Sequence, residues 1–423
     1  MRKPHADFQA PPKVLRDVRV REIGARGDGI GEGVFAPFTL PGELVRVWAS
    51  GERAELADIL EPSANRVVPP CPHFGVCGGC ALQHWAHEPY LAWKGALIGQ
   101  ALARERIETE ILPPAASPPG SRRRLALHAR KGAPGRARLG YKERGGWTLV
   151  DIAVCPIADP RLVAAFEGLR RLAAPFLEHP KSAPTLHVTL TRSGLDIDIT
   201  GVEQRSGGLS ADARLRAAEA AQAMDAARVT LAGEIVYQAR QSLVMLGRAS
   251  LALPPGAFMQ ATSEGEEALT AFAVQALAGA ERAADLFSGV GTFTFRMAEA
   301  VRVHAVDASA PAIAALNAAI ATAPGLKEIT SETRDLYRRP MLAAELKGFD
   351  AVVFDPPRAG AAEQAVQIAE SRVGLVVGVS CNPATFARDA RILAGAGFRL
   401  ERVLPVDQFL WSPHVELAGV FRR

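Results

Sequence analysis

The sequence predicts an α/β protein with a doubly wound, Rossmann-like domain at residues 256–423. An OB-like β-barrel at 13–65 and a mixed α+β central domain at 66–255 precede it. Three observations carry this reading. Strand-like and helix-like segments alternate from residue 256 onward, short β-like stretches with turn glycines fill 13–62, and the stretch between mixes both patterns without a repeat.

Taken in order, residues 1–12 read as a flexible tail. The barrel begins with Val18-Arg-Val20, turns at Gly27-Asp-Gly29 and Gly31-Glu-Gly33, and continues through Leu40 to Trp48. Pro69-Pro70 marks a boundary before a cysteine-rich loop. A helix is expected over Glu88–Arg106, strands over His187–Thr191 and Leu195–Thr200, and an Ala-rich helix over Ala211–Ala227. The C-terminal strands are expected at Ala283–Phe287, Val301–Asp307, Asp350–Phe354, Leu375–Ser380, Phe398–Val406 and Val415–Phe421. Helices fall between most of them, as an open sheet covered on both faces requires.

The chain has 423 residues, 48% hydrophobic and 22% charged, which fits a globular protein of two or three domains and excludes a disordered or fibrous one. No apolar run approaches the length of a membrane span. The first residues lack the apolar core of a secretory signal, so a cytoplasmic protein is expected. Net charge is +4, from 49 basic and 45 acidic residues, and decides little alone. The local clustering says more. Arg122, Arg123, Arg124, Arg130, Lys131, Arg136, Arg138, Lys142 and Arg144 are offset only by Glu143, a pattern for a nucleic-acid-binding patch or a solvated face.

Cys71, Cys77 and Cys80 form a C-x5-C-x2-C loop, and Cys155 can supply a fourth thiolate. In a cytosolic chain this spacing points to a metal or cluster, either [4Fe–4S] or tetrahedral zinc. Cys381 stands apart. It lies in Val379-Ser-Cys-Asn-Pro383, between a strand end and a helix whose first turn suits Pro383. There the helix dipole can lower a thiol pKa, so Cys381 reads as a nucleophile.

Asp285-Leu-Phe-Ser-Gly-Val-Gly291 follows a strand and opens a helix, but the third glycine of the dinucleotide fingerprint is missing. Asp307 ends the next strand, where a carboxylate can hold ribose hydroxyls. These features suit S-adenosylmethionine, which has no pyrophosphate. Phe354-Asp-Pro-Pro-Arg358 ends a further strand, and its prolines orient Asp355.

Together these segments resemble the uracil-5 RNA methyltransferases, S-adenosylmethionine-dependent enzymes that make 5-methyluridine. Ser380 to Thr385 with Arg388-Asp389 matches the family's nucleophile motif, and Asp407-Gln-Phe409 with His414-Val-Glu416 its C-terminal motif. The resemblance implies that Cys381 and Glu416 are catalytic, as nucleophile and general base. It implies that Gln260, Phe287, Asp307, Asp335 and Asp355 bind the cofactor. It further implies that 13–65 is a TRAM domain and that Cys71, Cys77, Cys80 and Cys155 ligate a [4Fe–4S] cluster, as in the ribosomal RNA branch. Thr262, Ser288 and Thr292 depart from the family pattern. The expected partner is RNA, ribosomal (23S) before transfer RNA, with no membrane and a monomeric protein. A 5-methylcytosine enzyme would carry a cysteine in the Asp355-Pro-Pro-Arg358 motif. A non-catalytic iron–sulfur RNA-binding protein would leave Cys381 and Glu416 idle, and a dehydrogenase would bind NAD at the glycine loop.

Overall fold

The protein is described from a computed structural model that covers residues 12–203 and 208–423; most of the expected tail, residues 1–11, lies outside the described residues. The chain forms two compact units, one of residues up to Trp93 with Trp411–Pro413, the other of Lys94–Leu410 with His414–Arg423.

The first unit opens with β1 (Val14–Arg19), β2 (Glu22–Ile23), β3 (Gly29–Gly31), β4 (Val34–Ala36), β5 (Leu44–Ser50) and β6 (Arg53–Glu61). They form one sheet in the order β1-β5-β6-β4-β3-β2. Val18, Val20, Val34, Val45 and Val47 alternate along these strands and supply the core. Helix α1 (His87–Arg104) contains the boundary between the units.

The second unit continues with the short strands β7 (Glu110–Ile111) and β8 (Ala115–Ala116). Then follow β9 (Arg124–Arg130), β10 (Arg138–Lys142), β11 (Leu149–Asp151), α2 (Pro160–Ala164), α3 (Phe166–Ala173), β12 (Thr185–Thr191), β13 (Gly194–Thr200), α4 (Ala211–Ala223), β14 (Arg228–Leu231) and β15 (Glu234–Gln238). These strands make a seven-stranded sheet, β11-β10-β9-β12-β13-β14-β15. Helix α4 ends four residues before the Ala-rich stretch does. Met224 leaves helical geometry, Asp225 takes a left-handed φ of 52°, and Ala226 N closes the helix end on Ala221 O before β14 begins at Arg228.

A hairpin, β16 (Leu243–Leu246) and β17 (Ala249–Ala252), leads to α5 (Ser263–Ala276). The last sheet is built from β18 (Arg282–Leu286), α6 (Thr292–Met297), β19 (Arg302–Asp307), α7 (Ala310–Ile320), β20 (Ile329–Thr333), β21 (Ala351–Phe354), α8 (Ala362–Glu370), β22 (Leu375–Ser380), α9 (Pro383–Gly395), β23 (Arg399–Asp407) and β24 (Glu416–Arg422). Its order is β20-β19-β18-β21-β22-β24-β23-β7, with β8 also on β23. The first five strands are parallel, and β24 is antiparallel to both neighbours. This is the doubly wound sheet the sequence predicts.

All six residues of β22 are buried, which is why it reads as a continuous apolar run. Val352, Phe354 and Val376 face α8 and α9 through Ile368, Phe386 and Leu393. Ala351, Val353, Val377 and Val379 face α5 and α6 through Leu269, Phe272, Phe293 and Met297. Strand order reverses between β18 and β21, and a crevice forms at such a switch point, beyond the carboxyl ends of the strands.

Candidate active site

The residues singled out in the sequence fall at that end of the sheet. Phe287 follows β18, Asp307 ends β19, Asp355 follows β21 and Cys381 follows β22. Glu416 begins β24. Ser380 pairs with Leu417 across the antiparallel β22–β24 ladder, and the same register carried one step further sets Cys381 opposite Glu416. The local sequence fixes the thiol. Asn382 caps α9 by accepting from Ala384 N, Pro383 sits in the first turn, and Ser380 Oγ accepts from Asn382 N at 3.1 Å.

Two glutamines, from β23's exit and from the segment before α5, tie the carboxylates together. Gln260 Nε2 donates to Asp355 Oδ2 at 3.2 Å. Gln408 Nε2 donates to Gln260 Oε1 at 2.7 Å and to Glu416 Oε2 at 2.9 Å, while its own Oε1 accepts from Ala261 N. Glu416 is only 4% exposed. Burial lifts its carboxyl well above the usual range, and the neighbouring Asp355 charge lifts it further. Asp355 is also raised by burial, opposed by the Gln260 hydrogen bond. Cys381 is pushed up to about 11 by burial and by the charges of Glu416 and Asp355, against a smaller lowering by Arg358. The expected lowering at the α9 terminus is therefore outweighed by burial first and by the two carboxylates second.

The glycine loop fits a nucleoside. Phe287, a residue with a side chain, adopts φ 62°, and Gly289 and Gly291 are also left-handed, so the chain turns sharply away from β18. Asp307 accepts from Gly289 N at 2.9 Å and from Ser309 N at 2.7 Å, which aims its carboxylate along the loop. Ser288 Oγ and Asp285 Oδ1 are buried without a hydrogen-bond partner, polar atoms of the kind a bound group satisfies. Asp285 accepts from Thr294 Oγ1 at 2.5 Å, and burial raises its carboxyl to about 7. Asp335 is more exposed. It accepts from Tyr337 N at 3.0 Å, and the Tyr337 ring packs 5.4 Å from Phe287. Thr262, the first departure from the family pattern, caps α5 through Gly265 N and meets Ser117 Oγ at 2.7 Å, work an Asn side chain also suits.

Sequence reasoning missed two supports of this site. One is Gln408, a polar side chain at the end of an apolar strand. The other is Lys94, which is 0% exposed and lies in the apolar i,i+4 stripe Tyr90, Lys94, Ile98, Leu102 of α1. A lone lysine in such a stripe was the available signal. Its Nζ donates to Asp407 Oδ1 at 2.5 Å, to Phe409 O at 3.1 Å and to His414 O, closing both ends of the segment between β23 and β24. Gln408 and Glu416 flank those anchors. Lys94→Met strands the buried Asp407 charge. We expect a loss of about 3–5 kcal/mol, read as a lower urea midpoint at unchanged slope. Adding Asp407→Asn should recover part of it, and a Lys94→Met protein as stable as wild type would refute this role.

Part of the basic run is also structural. Arg123 Nε donates to Gln260 O and the guanidinium pairs with Glu266, while Arg124 Nη1 donates to Met259 O at 2.5 Å. These arginines brace the segment that carries Gln260.

The cysteine expectation fares differently. Cys71, Cys77 and Cys80 are half-buried in one turn of the first unit, where Cys77 N donates to His73 O at 2.8 Å. Burial and the neighbouring Cys71 push the Cys77 thiol up. Cys155 belongs to the second unit. Among the described residues, no group of three or more His, Cys, Asp or Glu side chains is gathered as a metal-holding set. Among the same residues, no helix is long and apolar enough to cross a membrane.

The family described as tRNA (uracil-5-)-methyltransferase matches residues 226–423. An RNA methyltransferase of Caulobacter vibrioides is 63% identical over 415 residues, covering 97% of this chain and 100% of that protein. A 23S rRNA (uracil(1939)-C(5))-methyltransferase of Chromohalobacter salexigens is 32% identical over 418 residues, covering 93% of this chain and 85% of its own. The crystal structure of a Pyrococcus abyssi tRNA (uracil-54, C5)-methyltransferase with S-adenosyl-L-homocysteine shares the fold at TM-score 0.72, with 24% identity over 96% of this chain and 99% of that one. Identity over nearly the full length, and a family match spanning the sheet that carries Cys381 and Glu416, make this chain a member of the uracil-5 RNA methyltransferase family.

Proposed function

We propose that the protein transfers a methyl group from S-adenosylmethionine to C5 of a uridine in RNA, with Cys381 as nucleophile and Glu416 as base. The observation that carries this is the β22–β24 register, which pairs the thiol with a buried carboxylate beside Asp355. Uracil C5 is too weakly nucleophilic to take a methyl group unaided. The Cys381 thiolate adds to C6 and makes C5 an enolate-like carbon. C5 then bonds to the methyl carbon as the donor's S–CH3 bond breaks. Glu416 accepts the C5 proton, the C5=C6 bond reforms, and the C6–S bond breaks to return the thiolate. Gln408 and Gln260 hold Glu416 and Asp355 in register. Gln260, Phe287, Asp307, Asp335 and Asp355 are assigned to the methyl donor, with Asp307 on its ribose. The target nucleotide must leave its stack to reach the thiol.

Ribosomal RNA is the favoured substrate, because a 23S rRNA enzyme is 32% identical over 93% of the chain, against 24% identity for the transfer RNA enzyme that shares the fold. The finer assignments follow the same reading: TRAM at 13–65, the RNA-binding centre at 66–255, the methyltransferase domain at 256–423, a monomer, and a cytoplasmic location. Cys71, Cys77, Cys80 and Cys155 are proposed to hold a [4Fe–4S] cluster when loaded. Anaerobically purified protein should contain iron and sulfide together, and one zinc per chain would refute that assignment.

Nucleoside mass spectrometry tests the activity. RNA from cells lacking the gene, incubated with the protein and methyl-labelled donor, should gain labelled 5-methyluridine in the large ribosomal RNA. Label in transfer RNA alone would move the substrate and keep the chemistry. No label in either pool would overturn the reading.

A further inference from the structure

One face of the seven-stranded sheet bears polar side chains in a fixed order. Along β9, Arg124, Ala126, His128 and Arg130 alternate with the buried Leu125, Leu127 and Ala129. The register sets His128 opposite Gly140 of β10 and Thr185 of β12, and Ala126 opposite His187. The β9–β10 register extended to the end of β10 brings Lys142 opposite Ala126. Lys142 and Arg124 are then diagonal neighbours, about 7–8 Å apart across this face. The titration of His128 agrees: after burial, Lys142, Arg130 and His187 all depress it.

These cations are matched with aromatic rings. Lys142 Nζ lies 3.9 Å from the centroid of the Trp147 ring, Arg124 lies 5.0 Å from Phe258, and Arg122 lies 5.8 Å from Phe409. Trp147 is 82% exposed and Phe258 67%. The turn that presents Trp147 is ordered. Glu143 N donates to Thr148 O at 2.9 Å, Gly146 N to Glu143 O, and Gly145 supplies a φ of 71°. Such a turn holds a large apolar ring out in water, where nothing in the described fold covers it. From Ala126 and His187 a groove of about 200 Å³ runs past Phe258 to Phe409, the neighbour of Gln408.

We propose that this face is a track for single-stranded RNA, and that Trp147 stacks a base distant from the target uridine. The inference rests on the reading that the substrate is RNA and deepens it by placing a second point of contact. Three features favour this occupant. The Lys142–Trp147 pair offers a flat surface to a base and a positive charge to its phosphate, and the exposed Phe258 ring offers a second flat surface. Ala126 and Gly140 leave the floor between the pairs low. The groove leads toward the residues that hold Glu416. A duplex, with its bases stacked inside, could use the charges and not the rings.

The test is a binding measurement without methyl donor, using a fluorescein-labelled oligouridylate and a duplex RNA of equal length. Wild-type protein should bind the oligouridylate more tightly, with quenching of tryptophan fluorescence. Trp147→Ala should weaken that binding roughly 5- to 150-fold, and Trp147→Phe should restore most of it. In methyl-transfer assays Trp147→Ala should raise KM for RNA in the same proportion with kcat unchanged. The side chain is exposed, so melting temperatures should match. Oligouridylate binding unchanged by Trp147→Ala overturns the track, and so does an equal loss on the duplex. Failure of the wild type to methylate any RNA would instead overturn the activity and leave the binding result standing.

Discussion

Cys381→Ala is expected to leave a folded protein that binds S-adenosylmethionine and methylates nothing. Loss of a nucleophile that no neighbour can replace costs roughly 10⁴-fold or more in rate. The fold should tolerate the change: Cys381 is only half-buried, and the Asn382 cap and Pro383 that start α9 are untouched. A companion experiment reads the thiol directly. Its pKa of about 11 leaves little thiolate at neutral pH, so in donor-free protein iodoacetamide labelling of Cys381 should be slow at pH 7.5 and rise about tenfold per pH unit toward 11. Glu416→Gln removes a negative neighbour, lowers that pKa and should speed labelling at pH 9. Peptide mass spectrometry resolves Cys381 from the other four cysteines. Residual methylation by Cys381→Ala would exclude the covalent route, and neutral-pH labelling as fast as a free thiol would exclude the electrostatic account.

Glu416→Gln has the second large effect, at a different step. Attack by Cys381 and methyl transfer need no base at C5, so both should proceed once. Release requires the C5 proton to leave, and the amide cannot take it. Turnover should fall about 10²–10⁴-fold, and a protein–RNA adduct that survives denaturing electrophoresis should accumulate. The amide oxygen can still accept from Gln408 Nε2, so the surrounding network is kept. Adding Cys381→Ala should abolish the adduct. Wild-type turnover by Glu416→Gln would remove Glu416 from the mechanism.

The parts legible in the sequence were those whose signal is local. Leu375–Ser380 is a continuous apolar run and is found as β22 with the same ends. Asn382-Pro383 announces the start of α9, and strands 283–287, 301–307 and 415–421 shift by only a residue. Ile329–Thr333 escaped notice because an edge strand covered on few sides can be polar, as Thr330, Ser331 and Glu332 are. β7 and β8, of two residues each, owe their extended form to β23 and not to their own composition. In the site, the motif residues were legible and the supports were not. Arg123 and Arg124 looked like part of a charge run because nothing in their spacing tells that they meet the backbone of residues 259 and 260. A thiol at a helix start suggested a lowered pKa, and its burial in the fold, with Glu416 and Asp355 beside it, reverses the sign.

The Lys94 anchor has a consequence for the order in which the chain can fold. Its partner Asp407 lies 313 residues downstream, and β7 and β8 wait for β23 over a similar distance. At ribosomal speeds of about 5–20 residues per second, roughly 15–60 s separate the two halves of the pair. During that interval the Ile98 and Leu102 stripe of α1 has no core to enter, since most of the residues it packs with lie beyond residue 280. The nascent protein therefore completes its sheet at the edge nearest Glu416, among the last segments to be synthesised. A ribosome stalled before residue 407 should expose an apolar helix to chaperones, and Glu416 should reach its buried place beside Cys381 in the last cooperative step of folding.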